Sequence, residues 1–427
     1  MKRRYLAAAI TLAFFTQVAV AADASVEQKL EILQKELDEL RAELAKMKSQ
    51  QAAPASGLPS TTVSAPPSAS TGTMNGLAAG SNTFGGYGEL HYNNYRDGDK
   101  KDEIDFHRFV LFYGHKFNDR LRFYSELEVE HALVEGGGGA VELEQAFLDY
   151  RINDALNLKI GAFLVPIGIL NETHEPPTFF GVERNEVESR IIPSTWREAG
   201  VGVNGEIVHG LRYEAGLTSS LDAGKFSEPE KGIREMRTEL REAAAHDFAF
   251  YGALNYRGVP GLAVGASVFT GNTGQNGASD PALKNVNGRL LLWDVHAQYR
   301  LGGLELRALY ARGSLGDADK ISAAAIARSG DSAQVAPETF WGYYAEAGYH
   351  FRFGDEMELA PFARYERYNT QASVPNGFSA DPKNNERVTT LGVNFKLHPQ
   401  VVFKADFQDF KEDPKKDRFS LGVGYMF

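Results

Sequence analysis

The last ten residues, Arg418-Phe-Ser-Leu-Gly-Val-Gly-Tyr-Met-Phe427, place a large apolar side chain at every second position. One face of an extended strand would carry Phe419, Leu421, Val423, Tyr425 and Phe427, and the other Arg418, Ser420, Gly422, Gly424 and Met426. Such a strand suits a wall between lipid and water, because only a closed barrel satisfies strand hydrogen bonds inside a bilayer. The alternative interpretation is an ordinary strand of a β-sandwich.

The composition narrows the class of protein and of partner. The chain has 427 residues and no cysteine, which excludes disulfides and thiolate metal sites. A formal net charge of −11 argues against nucleic acid as a partner. The 27 Phe and 18 Tyr favour β structure. The mean hydropathy of −0.32 is compatible with a barrel, since half of each strand is polar.

Two of the segments before the predicted barrel are not expected to pack into it. Residues 1–21 have the pattern of a secretory signal peptide, with a basic start, an apolar stretch and a small-residue cleavage site. Its removal, which takes away three basic residues, changes the formal net charge from −11 to −14. Residues 51–82, rich in Ala, Pro and Ser, are predicted to form a flexible linker.

Between these segments, residues 22–50 are predicted to form a coiled-coil helix. Its apolar positions, spaced alternately four and three apart, are Val26, Leu30, Leu33, Leu37, Leu40, Leu44 and Met47. Glu36 and Arg41 would occupy flanking positions at which opposite charges favour a parallel oligomer. The alternative is a single amphipathic helix lying on another surface.

Residues 83–427 are predicted to form sixteen strands whose connections alternate between short and long. The short connections are expected at 118–119, 153–154, 209–210, 258–260, 302–303, 354–355 and 398–399. Outer-membrane barrels sort their loops in this way, with tight periplasmic turns and long outer loops. We therefore predict an all-β fold, a 16-stranded antiparallel transmembrane β-barrel with an N-terminal periplasmic coiled-coil helix.

The polar faces of the strands predict a water-filled lumen of mixed charge. A charge on the lipid face near the bilayer midplane costs about 2–4 kcal/mol, so the many strand charges must face inward. Arg122 and Lys159 are two of the basic wall positions, and acidic residues of similar number accompany them. Sixteen strands leave an aqueous channel rather than a core filled by side chains.

The long connection 166–198 is predicted to fold into this lumen and narrow it. Its apolar residues are more than a solvated loop needs: Pro176, Pro177, Phe179, Phe180, Ile191, Ile192 and Trp196. The alternative is an ordered outer loop at a contact between protomers. The predicted constriction and selectivity residues are Arg184, Arg190, Arg197, Arg122, Lys159 and Glu186. Arginine attracts anions, unless the glutamates beside these arginines neutralise them.

Catalytic and metal-binding motifs are absent from the sequence. It contains no G-x-S-x-G, Walker A or H-E-x-x-H motif, and no catalytic residue, cofactor or metal site is predicted. The acidic residues around Asp97 and Asp102 lack the spacing of a calcium loop and are expected to be solvated. His91, His107 and His115 leave an enzymatic barrel as an alternative.

The chain also resembles the phosphate-selective porin O/P family. The resemblance rests on the helix, the linker and three stretches: F-G-G-Y-G-E-L (84–90), E-L-E-Q-A-F-L-D-Y (142–150) and K-I-G-A-F-L-V-P-I-G (159–168). It implies a sixteen-stranded trimeric diffusion channel with a lumen lined by arginines and lysines. The wall positions of this chain offer only three lysines, and the lysine cluster of the family is not matched residue by residue.

We therefore expect an outer-membrane porin, not an enzyme, that lets small hydrophilic solutes diffuse, with anions such as phosphate as the first candidates. Its expected partners are outer-membrane lipid, small solutes or anions, two further copies in a homotrimer, and the cell wall through the N-terminal helix. The alternative function is a structural tether of the envelope, with the barrel as its anchor.

Overall fold

The described part of the chain forms one closed antiparallel sheet. The computed structural model describes residues 80–97, 100–132 and 139–427. The strands are β1 Asn82–Tyr95, β2 Glu103–Lys116, β3 Leu121–Glu130, β4 Val141–Asn153, β5 Leu156–Leu164, β6 Arg197–Val208, β7 Leu211–Ser219, β8 Phe248–Val259, β9 Leu262–Gly271, β10 Leu290–Leu301, β11 Leu304–Leu315, β12 Thr339–Tyr349, β13 Phe351–Phe353, β14 Met357–Ser373, β15 Asn385–His398, β16 Val401–Phe410 and β17 Arg418–Met426. Since β12 and β13 both pair with β14, they are two parts of one spanning strand, and the barrel has sixteen.

The predicted signal peptide, coiled-coil helix and all but the last residues of the linker lie outside the described residues. The same holds for the helix on which the tether hypothesis depends. The barrel begins at Asn82, one residue before the predicted start. Among the described residues, no helix has the length and apolar character needed to cross a membrane.

The first and last strands close the barrel. Strand β17 pairs antiparallel with β1, from Tyr87 opposite Met426 to Tyr95 opposite Arg418. The backbone N–H of Phe427 donates to Gly86 O at 2.9 Å, and the N–H of Gly86 donates to Phe427 O at 3.0 Å. Closure leaves no sheet edge in the bilayer, where an unpaired backbone group is costly.

The predicted alternation of the faces is confirmed in the last strand. Phe419 and Leu421 are 41% and 42% exposed on the outer wall, whereas Ser420 between them is fully buried in the interior. The alternation of loop lengths is confirmed as well. Connections of two to four residues alternate with longer ones, of which 165–196, 220–247, 272–289 and 316–338 are the longest in the described chain. Strand β14 extends to Ser373, a few residues beyond its predicted end.

A β-bulge explains the change of phase that the sequence shows in β4. Gln145 pairs with Glu126 and Leu143 with Leu127, which leaves Glu144 as an extra residue. Glu144 and Gln145 are therefore both buried, and the apolar positions change phase across them. The bulge keeps both polar side chains on the lumen side of the wall.

The apolar core lies inside the lumen, against the wall. It consists largely of residues 163–196, the outer loops and inward-facing aromatic side chains of the strands. The short helix α1, Val187–Arg190, belongs to the segment inside the lumen, and the longer helix α2, Ala318–Ser329, lies in an outer loop. Arg328 at the end of α2 donates to Phe226 O in the loop 220–247, which ties two outer loops together.

Candidate pore and its constriction

The connection between β5 and β6, residues 165–196, lies within the barrel and is called the inserted segment below. Its backbone is bound by side chains of the wall: Val182 N donates to Asp406 Oδ2 of β16 at 2.6 Å, and Gly168 N donates to Asp294 Oδ2 of β10 at 3.1 Å. In the other direction, Lys404 Nζ donates to Gly181 O at 2.8 Å. The prediction that this connection folds into the lumen is confirmed.

A buried carboxylate holds the inserted segment in its fold. Glu188 is fully buried. Its Oε2 accepts hydrogen bonds from the backbone N–H groups of Ile169 at 2.7 Å and Leu170 at 2.6 Å. Its Oε1 accepts from the hydroxyl of Tyr344 on β12 at 2.7 Å. Burial raises the pKa of Glu188, and these hydrogen bonds oppose that effect. Glu188 therefore links both halves of the segment to the wall.

Glycines on the lumen face of the wall make room for the segment. A Cβ added to Gly424 of β17 would lie 2.3 Å from Pro176 Cβ, and a Cβ on Gly348 of β12 would lie 2.4 Å from the Phe180 ring. Phe180 stacks on Phe362 of β14, with ring centroids 5.2 Å apart. A side chain at either of these two wall positions would therefore force the inserted segment to shift.

The inserted segment leaves open space in the lumen, where two cavities are well formed. The larger, of about 620 Å³, is called the inner chamber because Asp154 of the short turn 154–155 lines it. It is lined by β3 to β8 and by residues 164–175. Seven of its 22 lining residues are Asp or Glu, and five are Arg or Lys. The inner chamber is therefore net negative at pH values high enough to ionise all of these carboxyl groups.

The second cavity, of about 280 Å³, is called the outer chamber because residues of the outer loops line it. It lies among β1, β2, Arg418 of β17, the inserted segment and two residues of the loop 220–247. Six of its 15 lining residues are Arg or Lys, and three are Glu. The two chambers thus differ in the sign of their charge, a division that the sequence did not show.

The three predicted arginines of the segment are not equivalent. Arg190 forms an ion pair with Glu186 and donates to Glu230 O at 2.9 Å. Arg197, at the start of β6, pairs with Glu142 of β4 at 2.5 Å. Arg184 lines the outer chamber, and its buried Nε and Nη2 atoms have no hydrogen-bond partner. Neutralisation by glutamate therefore holds for two of the three arginines.

The other predicted site residues divide between the chambers. Glu186 lines the outer chamber, where Arg418 of β17 also pairs with it at 3.3 Å. Lys159 and Arg122 line the inner chamber. Lys159 Nζ donates to Glu214 at 2.7 Å and lies 4.9 Å from the centre of the Phe163 ring. The six predicted residues thus form no single site.

Sequence reasoning missed basic residues of the outer chamber that come from two different parts of the barrel. Arg108 of β2, which pairs with Glu89 at 2.6 Å, faces the chamber beside Arg184. Lys231 and Arg234 reach the chamber from the loop 220–247. Alternation alone does not identify them, because loop residues have no face and the alternation of β2 is interrupted.

The charges of the outer chamber are set by burial and by neighbouring side chains. Burial opposes ionisation of Glu183, but the adjacent His91 outweighs burial and holds the pKa of this carboxyl well below its usual range. Burial, and then the nearby Arg108, lower the pKa of Arg184. A second cation beside a buried arginine makes the pair favourable for an anion, since a bound anion offsets both charges.

Comparisons with known proteins agree with this architecture. Residues 243–427 match a family model described as the outer membrane protein beta-barrel domain. An uncharacterized protein of Aquifex aeolicus (strain VF5) is 35% identical over 355 residues, which cover 81% of this chain and 80% of that protein.

Two solved structures share the fold. Salmonella typhi OmpF, in complex with daunomycin, has a TM-score of 0.56 at 13% identity over 82% of this chain and 98% of that one. The outer membrane channel DcaP of Acinetobacter baumannii has a TM-score of 0.52 at 12% identity over 82% of this chain and all of that one. At these identities the likeness concerns the fold alone.

Proposed function

The chain belongs to the same family as the uncharacterized Aquifex aeolicus protein, and because its residues 243–427 match the outer membrane protein beta-barrel domain, we propose that it is a passive diffusion channel of the bacterial outer membrane. Small hydrophilic solutes would cross through the lumen beside the inserted segment. The observation that carries the proposal is the polar, charged interior: two chambers lined mainly by Arg, Lys, Asp and Glu side chains, with a segment packed on the wall. The fold shared with DcaP, an outer membrane channel, supports it.

The finer proposal concerns selectivity. The outer chamber concentrates small anions because its basic residues outnumber its acids and Arg184 has no carboxylate partner. Phosphate and small carboxylates suit guanidinium groups, which bind two oxygens at once. We propose further that three such barrels form a homotrimer, that the pore itself needs no cofactor, and that the chain is not an enzyme.

Single-channel recording in planar bilayers under a salt gradient tests this function. The change is Arg184→Met, which keeps much of the side-chain volume and removes the uncompensated charge. We expect the reversal potential to shift toward cations, and added phosphate to reduce the chloride current less than in the unmodified channel. The matched control is Arg120→Met, at an exposed short turn far from the outer chamber.

One result would contradict the proposed selectivity, and a different result would contradict the proposed channel. An unchanged reversal potential in Arg184→Met would remove the outer chamber from the selectivity mechanism while leaving the channel intact. A purified protein that forms no conducting pores, or that stays monodisperse without detergent, would contradict the channel itself.

A further inference from the structure

Two histidines and an aspartate meet where β2 begins and β3 ends, at the mouth formed by the outer loops. Asp105 and His107 lie near the start of β2, and His131 directly follows β3. Their potential ligand atoms all lie within 4.8 Å of one another. His131 Nδ1 is 2.8 Å from Asp105 Oδ2, and His107 Nδ1 is 3.2 Å from the same oxygen.

A β-bulge brings this group together. Glu89 pairs with Arg108 and His91 with Asp105, so that two residues of β1 face three residues of β2. Under strict alternation from the inward-facing Arg108, Asp105 would point at lipid. The extra residue turns it inward instead, opposite His91, and bulges commonly re-aim side chains in this way. Because of this bulge, strict alternation of the two strand faces does not predict that these three residues lie together.

Neighbouring contacts fix the ring of His107 and leave the group open to water. The rings of His91 and His107 stack with centroids 4.9 Å apart. His91 is not available as a ligand, since its ring nitrogens contact Glu183 at 3.0 Å and Glu89 at 3.1 Å. The side chains of Asp105, His107 and His131 are 25%, 32% and 41% exposed, so an ion reaches them from the aqueous mouth.

We propose that Asp105, His107 and His131 form a binding site for a divalent first-row transition ion of the Zn²⁺ type. Two imidazoles and one carboxylate are the donors such ions prefer, while Ca²⁺ and Mg²⁺ prefer oxygen alone. Bonds of about 2.0–2.1 Å set tetrahedral ligand atoms about 3.3 Å apart, so small side-chain rotations that slightly lengthen the two contacts with Asp105 would fit the present group around an ion. The fourth position remains open to water or an anion.

The ion would alter the outer chamber, because His107 also lines that cavity. Neutral imidazoles and one carboxylate leave a bound divalent ion with a net positive charge. This charge adds to the basic lining that surrounds Arg184. Occupancy therefore strengthens the attraction for anions, which extends the proposed function of the chamber, although ion binding itself does not depend on conduction.

Isothermal titration of the untagged, full-length protein in detergent with ZnCl₂, after removal of metals by chelation, tests the site. We expect one Zn²⁺ per chain, unaffected by millimolar Ca²⁺ or Mg²⁺. Affinity should fall by about tenfold or more in His107→Ala and in Asp105→Asn. The control His115→Ala lies on the same strand, where its ring contacts Asn82 at 2.7 Å, and should bind as the unmodified protein does.

Two further measurements keep the test independent of folding and of conduction. Each variant must retain the gel mobility of a folded barrel before heating, and zinc affinity is measured by titration without reference to conductance. Co²⁺ should give the strong visible absorption of tetrahedral coordination in the unmodified protein and lose it in His107→Ala. The absence of Zn²⁺ binding, or equal affinity in His107→Ala and the unmodified protein, would overturn the site and leave the channel proposal standing.

Discussion

Replacing Glu188 should release the inserted segment from the wall, and the structure sets the magnitude. In Glu188→Ala, the N–H groups of Ile169 and Leu170 lose their acceptor while the surrounding apolar residues stay in place. Each buried donor left unpaired costs about 1–3 kcal/mol, so the released fraction should rise about 30-fold to 10⁴-fold. The isosteric Glu188→Gln keeps one oxygen that can accept hydrogen bonds from both donors. In this variant the released fraction should therefore rise less than about tenfold. The raised pKa of Glu188 agrees with this tolerance of a neutral side chain.

Trypsin supplies the assay, since Arg184 and Arg190 are cleavage sites that the protease reaches only when the segment leaves the barrel. When opening is fast relative to cleavage, the cleavage rate follows the population of the open form. Fragment masses identify the cut, and the unitary conductance of the same samples should rise as the lumen widens. Equal cleavage rates in Glu188→Ala and the unmodified protein would refute this reasoning. A Glu188→Gln variant as labile as Glu188→Ala would show that charge, rather than hydrogen bonding, holds the segment.

Two further predictions follow from the packing and the electrostatics of the lumen. Gly424→Ala places a methyl group against Pro176 and should speed tryptic cleavage and enlarge the unitary conductance; Gly252→Ala, whose nearest new contact is 3.4 Å, is the control and should change neither. Desolvation within the enclosed lumen, and then the charge of Glu214, raise the pKa of Glu172, although its side chain is exposed to the inner chamber. This carboxyl is charged at high pH and gains its proton early as the pH falls, so cation permeability should decrease from pH 8 to pH 5. Glu172→Gln should lessen that pH dependence, and an identical pH profile would contradict the assignment.

Most of the barrel follows from the sequence because two physical constraints act at every position. Lipid outside and water inside impose a period of two, which identifies strands such as β17, and the parity of loop lengths gives their direction. The apolar content of the connection after β5 predicted its insertion because exposed apolar surface of that size is unfavourable. These signals are local, and each is visible in one stretch of chain.

The site follows less well, because its residues meet through bulges and loops. The bulge in β2 reverses the facing of Asp105, and no local pattern of residues 103–116 announces it. Lys231 and Arg234 enter the outer chamber from a loop more than 30 residues from any other part of the lining in sequence. Arg197 of β6 pairs with Glu142 of β4. The glutamates that lie next to Arg197 in the sequence are therefore not its partners, contrary to what the sequence suggested.

The charges of the lumen also differ in what they are free to do, and this decides which of them can select ions. Asp294, Asp406 and Glu366 accept hydrogen bonds from the backbone N–H groups of residues 168, 182 and 187. These carboxylates satisfy the backbone of a segment that no sheet pairs, as a buried backbone requires. A count of the acidic residues on the wall therefore overstates the number of carboxylates that passing ions can contact. Once the bound carboxylates and paired arginines are set aside, the outer chamber retains Arg184, whose buried Nε and Nη2 atoms have no hydrogen-bond partner, which is why a single substitution there should change selectivity.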